Sequence, residues 1–235
     1  MSSSESAKTA VAGTLYIVGT PIGNMEDITL RALRVLRDAG LVAAEDTRHT
    51  GLLLARHAIR KALVSYHEFN EAKRTPELLQ VLQQGRSIAL VSDAGMPTVS
   101  DPGQRLIRAA IDAGIHVEVI PGVSAVTAAL AGSGHAGGGF LFYGFLPHKG
   151  AQRRKVLSRL APLPYTLVLF ESPYRLIKCL RDLLELLGNR RVVVARELTK
   201  KFEEILRGDV ETVLKKLENR SIKGEITLVV EGSRE

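Results

Sequence analysis

Tryptophan is absent, and all aromatics together make up only 5% of the 235 residues. The chain therefore has little material for the stacked aromatic platforms that grip single-stranded nucleic acid. A lone cysteine, Cys179, excludes an intramolecular disulfide framework and any zinc site built on several cysteines. No apolar run approaches the ~20 residues that span a bilayer. Residues 1–11 are rich in serine and small side chains but lack the apolar stretch of a secretory signal. These absences point to a soluble protein of a reducing compartment, most simply the cytoplasm, with a flexible tail over residues 1–12. What is present is enough for a real core: 45% hydrophobic and 24% charged residues, at a length suited to one or two domains.

The formal net charge of +7 is unevenly placed. Residues 1–122 carry 13 Lys and Arg against 13 Asp and Glu, while residues 123–235 carry 19 against 12. An excess confined to one half suggests an anionic partner there, with nucleic acid the obvious candidate. A merely solvated surface is the equal alternative.

Strand-like and helical runs alternate throughout. Leu15–Val18, Leu41–Ala44, Ala62–Ser65, Ser87–Val91 and Val117–Ile120 are short apolar strands. Between them lie helical patterns, from Asp27 with Ile28, Ala32, Val35, Leu36 and Ala39 on one face, then over Pro76–Gln83 and Gln104–Ala113. Continuous apolar strands separated by helices indicate a mostly parallel sheet covered on both faces. Gly and Ala crowd Ala131–Gly139, which has the composition of a linker. Beyond it, strands at Leu141–Tyr143, Thr166–Phe170, Val192–Ala195, Glu203–Arg207 and Leu228–Val230 alternate with helices at Arg153–Leu160, Arg175–Leu187 and Val210–Leu217. The expected fold is α/β, with two α/β domains over residues 13–133 and 134–235 and a ligand cleft between them.

Three turns follow strands directly. Gly19-Thr20-Pro21-Ile22-Gly23-Asn24 allows close backbone approach, yet it has neither the glycine spacing of a dinucleotide fingerprint nor the Gly-Lys-Ser/Thr of a P-loop. Ser92-Asp93-Ala94-Gly95-Met96-Pro97, continuing through Ser100-Asp101-Pro102-Gly103, is rigid and acidic at the carboxyl end of a strand, where α/β sheets bind ligands. Asp93 and Asp101 are either ligand acceptors or turn and cap residues. Pro121-Gly122-Val123-Ser124-Ala125 opens a small-residue helix, for tight packing or a close ligand. The clusters Glu45-Asp46-Thr47-Arg48-His49 and His67-Glu68-Phe69-Asn70-Glu71 put general-base candidates on the same edge. Lacking a helical His-x-x-x-His or cysteine ligands, they do not make a metal site. Lys149, Arg153 and Arg154, with further basic pairs beyond, could together contact phosphates without reading sequence.

From these residues alone, the protein is a cleft enzyme for a small polar or anionic ligand. The motifs taken together, with Gly144-Phe145-Leu146-Pro147 and Phe170-Glu171-Ser172-Pro173, resemble in order and over nearly the whole chain the bacterial ribosomal RNA small subunit methyltransferase I family. That family lies within the tetrapyrrole-methylase superfamily of S-adenosylmethionine enzymes. The resemblance implies methyl transfer from S-adenosylmethionine to the ribose 2′-hydroxyl of a cytidine in the decoding centre of 16S ribosomal RNA. The substrate would be the RNA or the assembled small subunit, and the enzyme a homodimer. It also implies cofactor contacts at Pro21 and Ile22, at Asp93, Gly95 and Met96, and at Ser124 and Ala125. Phe170, Leu198, Gly224, Glu225 and Thr227 complete that set. The family's usual members continue past the position of Glu235 with a small helical segment.

A 2′-hydroxyl is a poor nucleophile, so its proton must be accepted as it attacks. Glu45, Asp46 and His67 are the candidate bases, with Arg48 or Lys149 on the adjacent phosphate. Two rival functions share the fold: C-methylation of a tetrapyrrole, and RNA binding without catalysis. The Glu45–Arg48 cluster and the basic second half weigh against the first, and the Asp93 turn against the second.

Overall fold

The computed structural model describes residues 13–135 and 138–234, so the expected tail over 1–12 lies outside the described residues. The chain divides into two compact units, one holding residues up to Pro21 with Met25–Val123, the other Ile22–Asn24 with Ser124–Glu235.

The first unit is a five-stranded sheet of β1 (Thr14–Val18), β2 (Leu41–Ala44), β3 (Leu63–Ser65), β4 (Ile88–Val91) and β5 (His116–Ile120), in the order β3-β2-β4-β1-β5. Every pairing is parallel. All residues of β2 and β4 are buried, which is why these strands are continuously apolar rather than alternating. The helices are α1 (Leu30–Asp38), α2 (Thr47–Arg56), α3 (Glu71–Gln83) and α4 (Gln104–Asp112). Leu36 of α1 and Leu54 of α2 pack with Val18, Val42 and Val91 on one face. Leu78 and Leu82 of α3 and Leu106 of α4 pack with Leu15, Leu41 and Leu90 on the other.

This arrangement fixes where a ligand can bind. The chain leaves β1 and β2 toward one face and leaves β4, which lies between them, toward the opposite face. Loops that part in this way open a crevice at the carboxyl ends of the strands.

Helix boundaries depart from the sequence pattern for local reasons. α1 begins after Thr29, whose hydroxyl accepts the Ala32 N–H at 3.0 Å, rather than at Asp27. The polar cluster at 45–49 is the start of α2, a helix the sequence pattern did not suggest, because its first turn is polar and capped by Asp46. α3 starts five residues before Pro76 and carries that proline inside it.

The second unit contains α5 (Ala125–Ser133), β6 (Phe140–Phe145), α6 (Gly150–Leu160), β7 (Thr166–Glu171), α7 (Leu176–Leu187), β8 (Arg191–Arg196), β9 (Glu204–Asp209), α8 (Val210–Leu217) and β10 (Ile226–Val230). Its sheet runs β6-β7-β10-β8-β9. Only β6 and β7 are parallel; β10 enters antiparallel between β7 and β8, and β8 pairs antiparallel with β9. The alternation of strands and helices does not distinguish this mixed sheet from a parallel one. Leu167, Leu169, Val192, Val194 and Leu228 face α6, α7 and α8, while α5 also packs on β10. The small-residue run beginning at Ala131 is partly this helix, which ends at Ser133 with Gly134 left-handed.

Arg153 is not on the solvent side of α6. Its side chain is 8% exposed and holds the Asp182 carboxylate on α7, with Nη2 at 2.6 Å and Nε at 2.7 Å from Oδ2. Arg154 takes the other oxygen at 3.0 Å and also pairs with Glu185. Breaking a buried pair leaves the remaining charge uncompensated. Arg153→Met is therefore expected to cost about 3 kcal/mol in urea unfolding, against a negligible change for the exposed Lys149→Met.

Candidate active site

The turn after β1 and the turn after β4 are stitched together. Thr20 N–H donates to the Gly95 carbonyl at 2.9 Å and Gly95 N–H to the Thr20 carbonyl at 3.1 Å. The buried Thr20 hydroxyl also reaches the Ser92 carbonyl at 3.1 Å. Behind them, the turn after β5 closes on β1 with no side chain between. A Cβ on Gly19 would lie 2.8 Å from Gly122 Cα, and one on Gly122 2.9 Å from Gly19 Cα. Pro21, Asp93, Gly95 and Met96 thus share one braced rim, and Met96 Sδ lies against Gly19.

The rigidity expected of the acidic turn is partly strain. Thr98 and Ser100 both adopt left-handed backbone, with φ of 72° and 70°. Such residues cost roughly 1–3 kcal/mol each and persist only where surrounding structure holds them. The turn ends at Gly103, φ 136°, which takes the N-cap position of α4.

Beside this rim, the ends of β2 and β4 exchange hydrogen bonds. Asp46 N–H donates to Asp93 Oδ1 at 3.0 Å, and Asp93 N–H is hydrogen-bonded to the Glu45 carboxylate. Burial, and then the negative charge of Asp93, push the Glu45 carboxyl above its ordinary range; the nearby His67 partly opposes this. Asp46 is the opposite case. It caps α2 through the Arg48 N–H at 2.8 Å, and the Arg48 guanidinium holds both its oxygens at 3.1 and 2.7 Å. Those bonds hold its carboxyl well below the usual range, which leaves it a weak proton acceptor. His67 stands at the end of β3, its Nε2 3.1 Å from Asn70 Nδ2. Glu45, His67 and Asp93 are therefore brought together, and Asp46 with Arg48 forms a separate pair beside them.

In the second unit, Ile22 is buried, and the Asn24 N–H donates to Thr199 Oγ1 at 3.0 Å, beside Leu198. Ser124 occupies the N-cap position of α5, yet its hydroxyl makes no capping bond; Ala125 follows as the first helical residue. Phe170 packs edge-on against Phe142 at 4.9 Å and pairs in register with the buried Thr227. Gly224 takes a left-handed φ of 92° against the Glu197 side chain, whose Oε1 accepts the Glu225 N–H at 3.0 Å. The Phe170-Glu171-Ser172-Pro173 motif has a structural part that the sequence did not disclose. The Glu171 side chain is fully buried, accepts the Ser172 N–H at 2.7 Å and pairs with Arg175 at 2.6 Å. Arg175 also donates to the Leu146 carbonyl at 3.1 Å, tying this motif to Gly144-Phe145-Leu146-Pro147.

Comparison with known proteins agrees with this geometry. The family of Tetrapyrrole (Corrin/Porphyrin) Methylases matches residues 14–214. The chain belongs to the tetrapyrrole methylase family. As a member it is a methyltransferase, and its two sheets are the family's α/β architecture. A Thermotoga maritima protein named Ribosomal RNA small subunit methyltransferase I is 49% identical over 220 residues, which cover 94% of this chain and 99% of that one. Among solved structures, a uroporphyrin-III-C-methyltransferase from Thermus thermophilus is 28% identical with a TM-score of 0.64, covering 93% of this chain and 92% of that one. A further Thermus thermophilus uroporphyrin-III C-methyl transferase, complexed with S-adenyl homocysteine, is 22% identical with a TM-score of 0.65. It covers 92% of this methylase and 97% of its own chain.

Two residues of the rim were not singled out by their sequence context: Thr20, whose hydroxyl braces the turns, and Asn70, which holds His67. Glu45 has a measurable consequence of its own. A carboxyl whose folded pKa is raised contributes most stability below its unfolded pKa and loses it as pH rises through the folded value. Glu45→Gln is thus expected to raise the urea midpoint at pH 7 and to leave it unchanged at pH 3.5, as two unfolding series would show.

Proposed function

We propose that this methylase transfers the methyl group of S-adenosylmethionine to the ribose 2′-hydroxyl of a cytidine in the decoding centre of small-subunit 16S ribosomal RNA, acting as a cytoplasmic homodimer. The observation that carries this reading is the 49% identity, along nearly the full length of both chains, to a protein named for small-subunit ribosomal RNA methylation. The rim suits such a methyl donor. It offers a carboxylate at Asp93 and glycine turns too tight for side chains; in the second unit, the Ser124 hydroxyl makes no capping bond.

When bound, S-adenosylmethionine supplies an electrophilic methyl group on its sulfonium. Asp93, Gly95 and Met96, with Pro21, would hold its methionine part. Ile22, Ser124, Ala125 and Phe170 are further donor contacts in this reading, as are Leu198, Gly224, Glu225 and Thr227. Glu45 accepts the proton of the 2′-hydroxyl, because its raised pKa makes it the better base and Asp46 is tied to Arg48. Arg48, whose side chain is 89% exposed, neutralises an adjacent phosphate. Lys149 at the start of α6 and the half-exposed Arg154 extend the phosphate-contacting surface, with Arg153 bracing that helix from within. Holding the hydroxyl in line with the methyl group supplies most of the acceleration.

The deciding experiment incubates the protein with labelled S-adenosylmethionine and undermethylated small subunits, naked 16S RNA or a precorrin. Label at a cytidine 2′-oxygen is the expected result; label in the macrocycle alone, or in none of the three, refutes it. Glu45→Gln should lower the single-turnover rate by about a hundredfold, the range for loss of a general base.

A further inference from the structure

Asn70 sits at the N-cap position of α3, where asparagine ordinarily accepts an N–H of the first turn. Here it makes no capping bond. Its Oδ1 instead accepts the backbone N–H of His67 at 2.9 Å. That bond fixes the orientation of the amide, since a backbone N–H can only donate. Nδ2 is then the group facing the other partners: the Ser65 carbonyl at 3.2 Å, Ser65 Oγ at 3.0 Å and His67 Nε2 at 3.1 Å.

An amide nitrogen only donates, through two N–H groups. One serves Ser65, whose two oxygens share it, and the other points to Nε2 of His67, which can take part only as an acceptor. In the neutral ring one nitrogen accepts and the other carries the hydrogen, which places it on Nδ1. This Nδ1 is buried and has no hydrogen-bond partner among the described residues. A buried donor left unmatched is costly.

We infer that Asn70 is a positioning residue that locks His67 in its Nδ1–H tautomer, so that His67 donates a hydrogen bond to a substrate oxygen and does not act as the base. The role rests on the methyl-transfer reading above, and it divides the work of the site. Nε2 is already occupied as an acceptor and Nδ1 already carries a hydrogen, so His67 has no free lone pair to take a proton. Glu45 is left as the acceptor.

The test has a spectroscopic arm and a kinetic arm. In the spectroscopic arm, the full chain labelled with ¹⁵N-histidine is examined without substrate. His67 should show a pyrrole-type Nδ1 and a pyridine-type Nε2. Asn70→Asp, which presents an oxygen to Nε2, should reverse that assignment, and a wild-type ring protonated at Nε2 overturns the inference. In the kinetic arm, His67→Ala should slow single-turnover methylation of small subunits by about a hundredfold, as for loss of one fixed donor. His67→Asn places an amide N–H near the Nδ1 position and should recover about tenfold of that loss; no recovery over alanine counts against donation. Asn70→Asp should fall toward His67→Ala, and an unchanged rate overturns the positioning role. If wild-type protein methylates no RNA but shows the Nδ1–H ring, the function assigned above fails and the tautomer stands. If it methylates RNA with an Nε2–H ring, only the present inference fails.

Discussion

The two hydrogen bonds between Thr20 and Gly95 are the constraint on which the rest of the site depends. They join the ends of β1 and β4, neighbours whose chains depart to opposite faces of the sheet. Without that bridge the two loops would part freely, and Asp93 would lose its fixed place beside Glu45. The Thr20 hydroxyl reinforces it from a position shielded from water, where competition for the Ser92 carbonyl is weak. The left-handed backbone at Thr98 and Ser100 is held within the same frame.

A second theme is the separation of neighbouring carboxylates by environment. Glu45 and Asp46 are adjacent in sequence, but one is partly buried against Asp93 while the other is tied to a helix terminus and a guanidinium. Desolvation raises one and hydrogen bonding lowers the other. Divergent environments of this kind mark out acid–base roles in active sites generally.

Much of this was legible in the sequence. The turns at Gly19, Ser92 and Pro121 were legible as glycine- and proline-rich strand ends with close backbone approach, although a plain turn or tight helix packing fitted the first and last of them equally well. The clusters at Glu45 and His67 were placed on the correct edge because parallel strands bring their carboxyl ends together. What was not legible depends on pairing at a distance. Arg153 looked like a surface cation until α7 brought Asp182 to it, and Glu171 gave no sign of its partnership with Arg175. The antiparallel entry of β10 is a matter of topology that strand–helix alternation does not encode. Asn70 was one polar residue of the His67 cluster, and only its hydrogen bonds reveal that it holds His67 and does not cap α3.

The contact between Gly19 and Gly122 also constrains how this protein can change. A side chain on Gly122 would meet only main chain of Gly19, and one on Gly19 would meet main chain of Gly122 as well as the Met96 side chain, so shortening Met96 would not relieve it. A lesion at either position therefore has no second-site suppressor at the other. Relief would require β1 and β5 to separate, at the expense of the ladder that joins them from Thr14 to Val18. In genetic terms the two positions form one locus of the fold, and variation must accumulate around them.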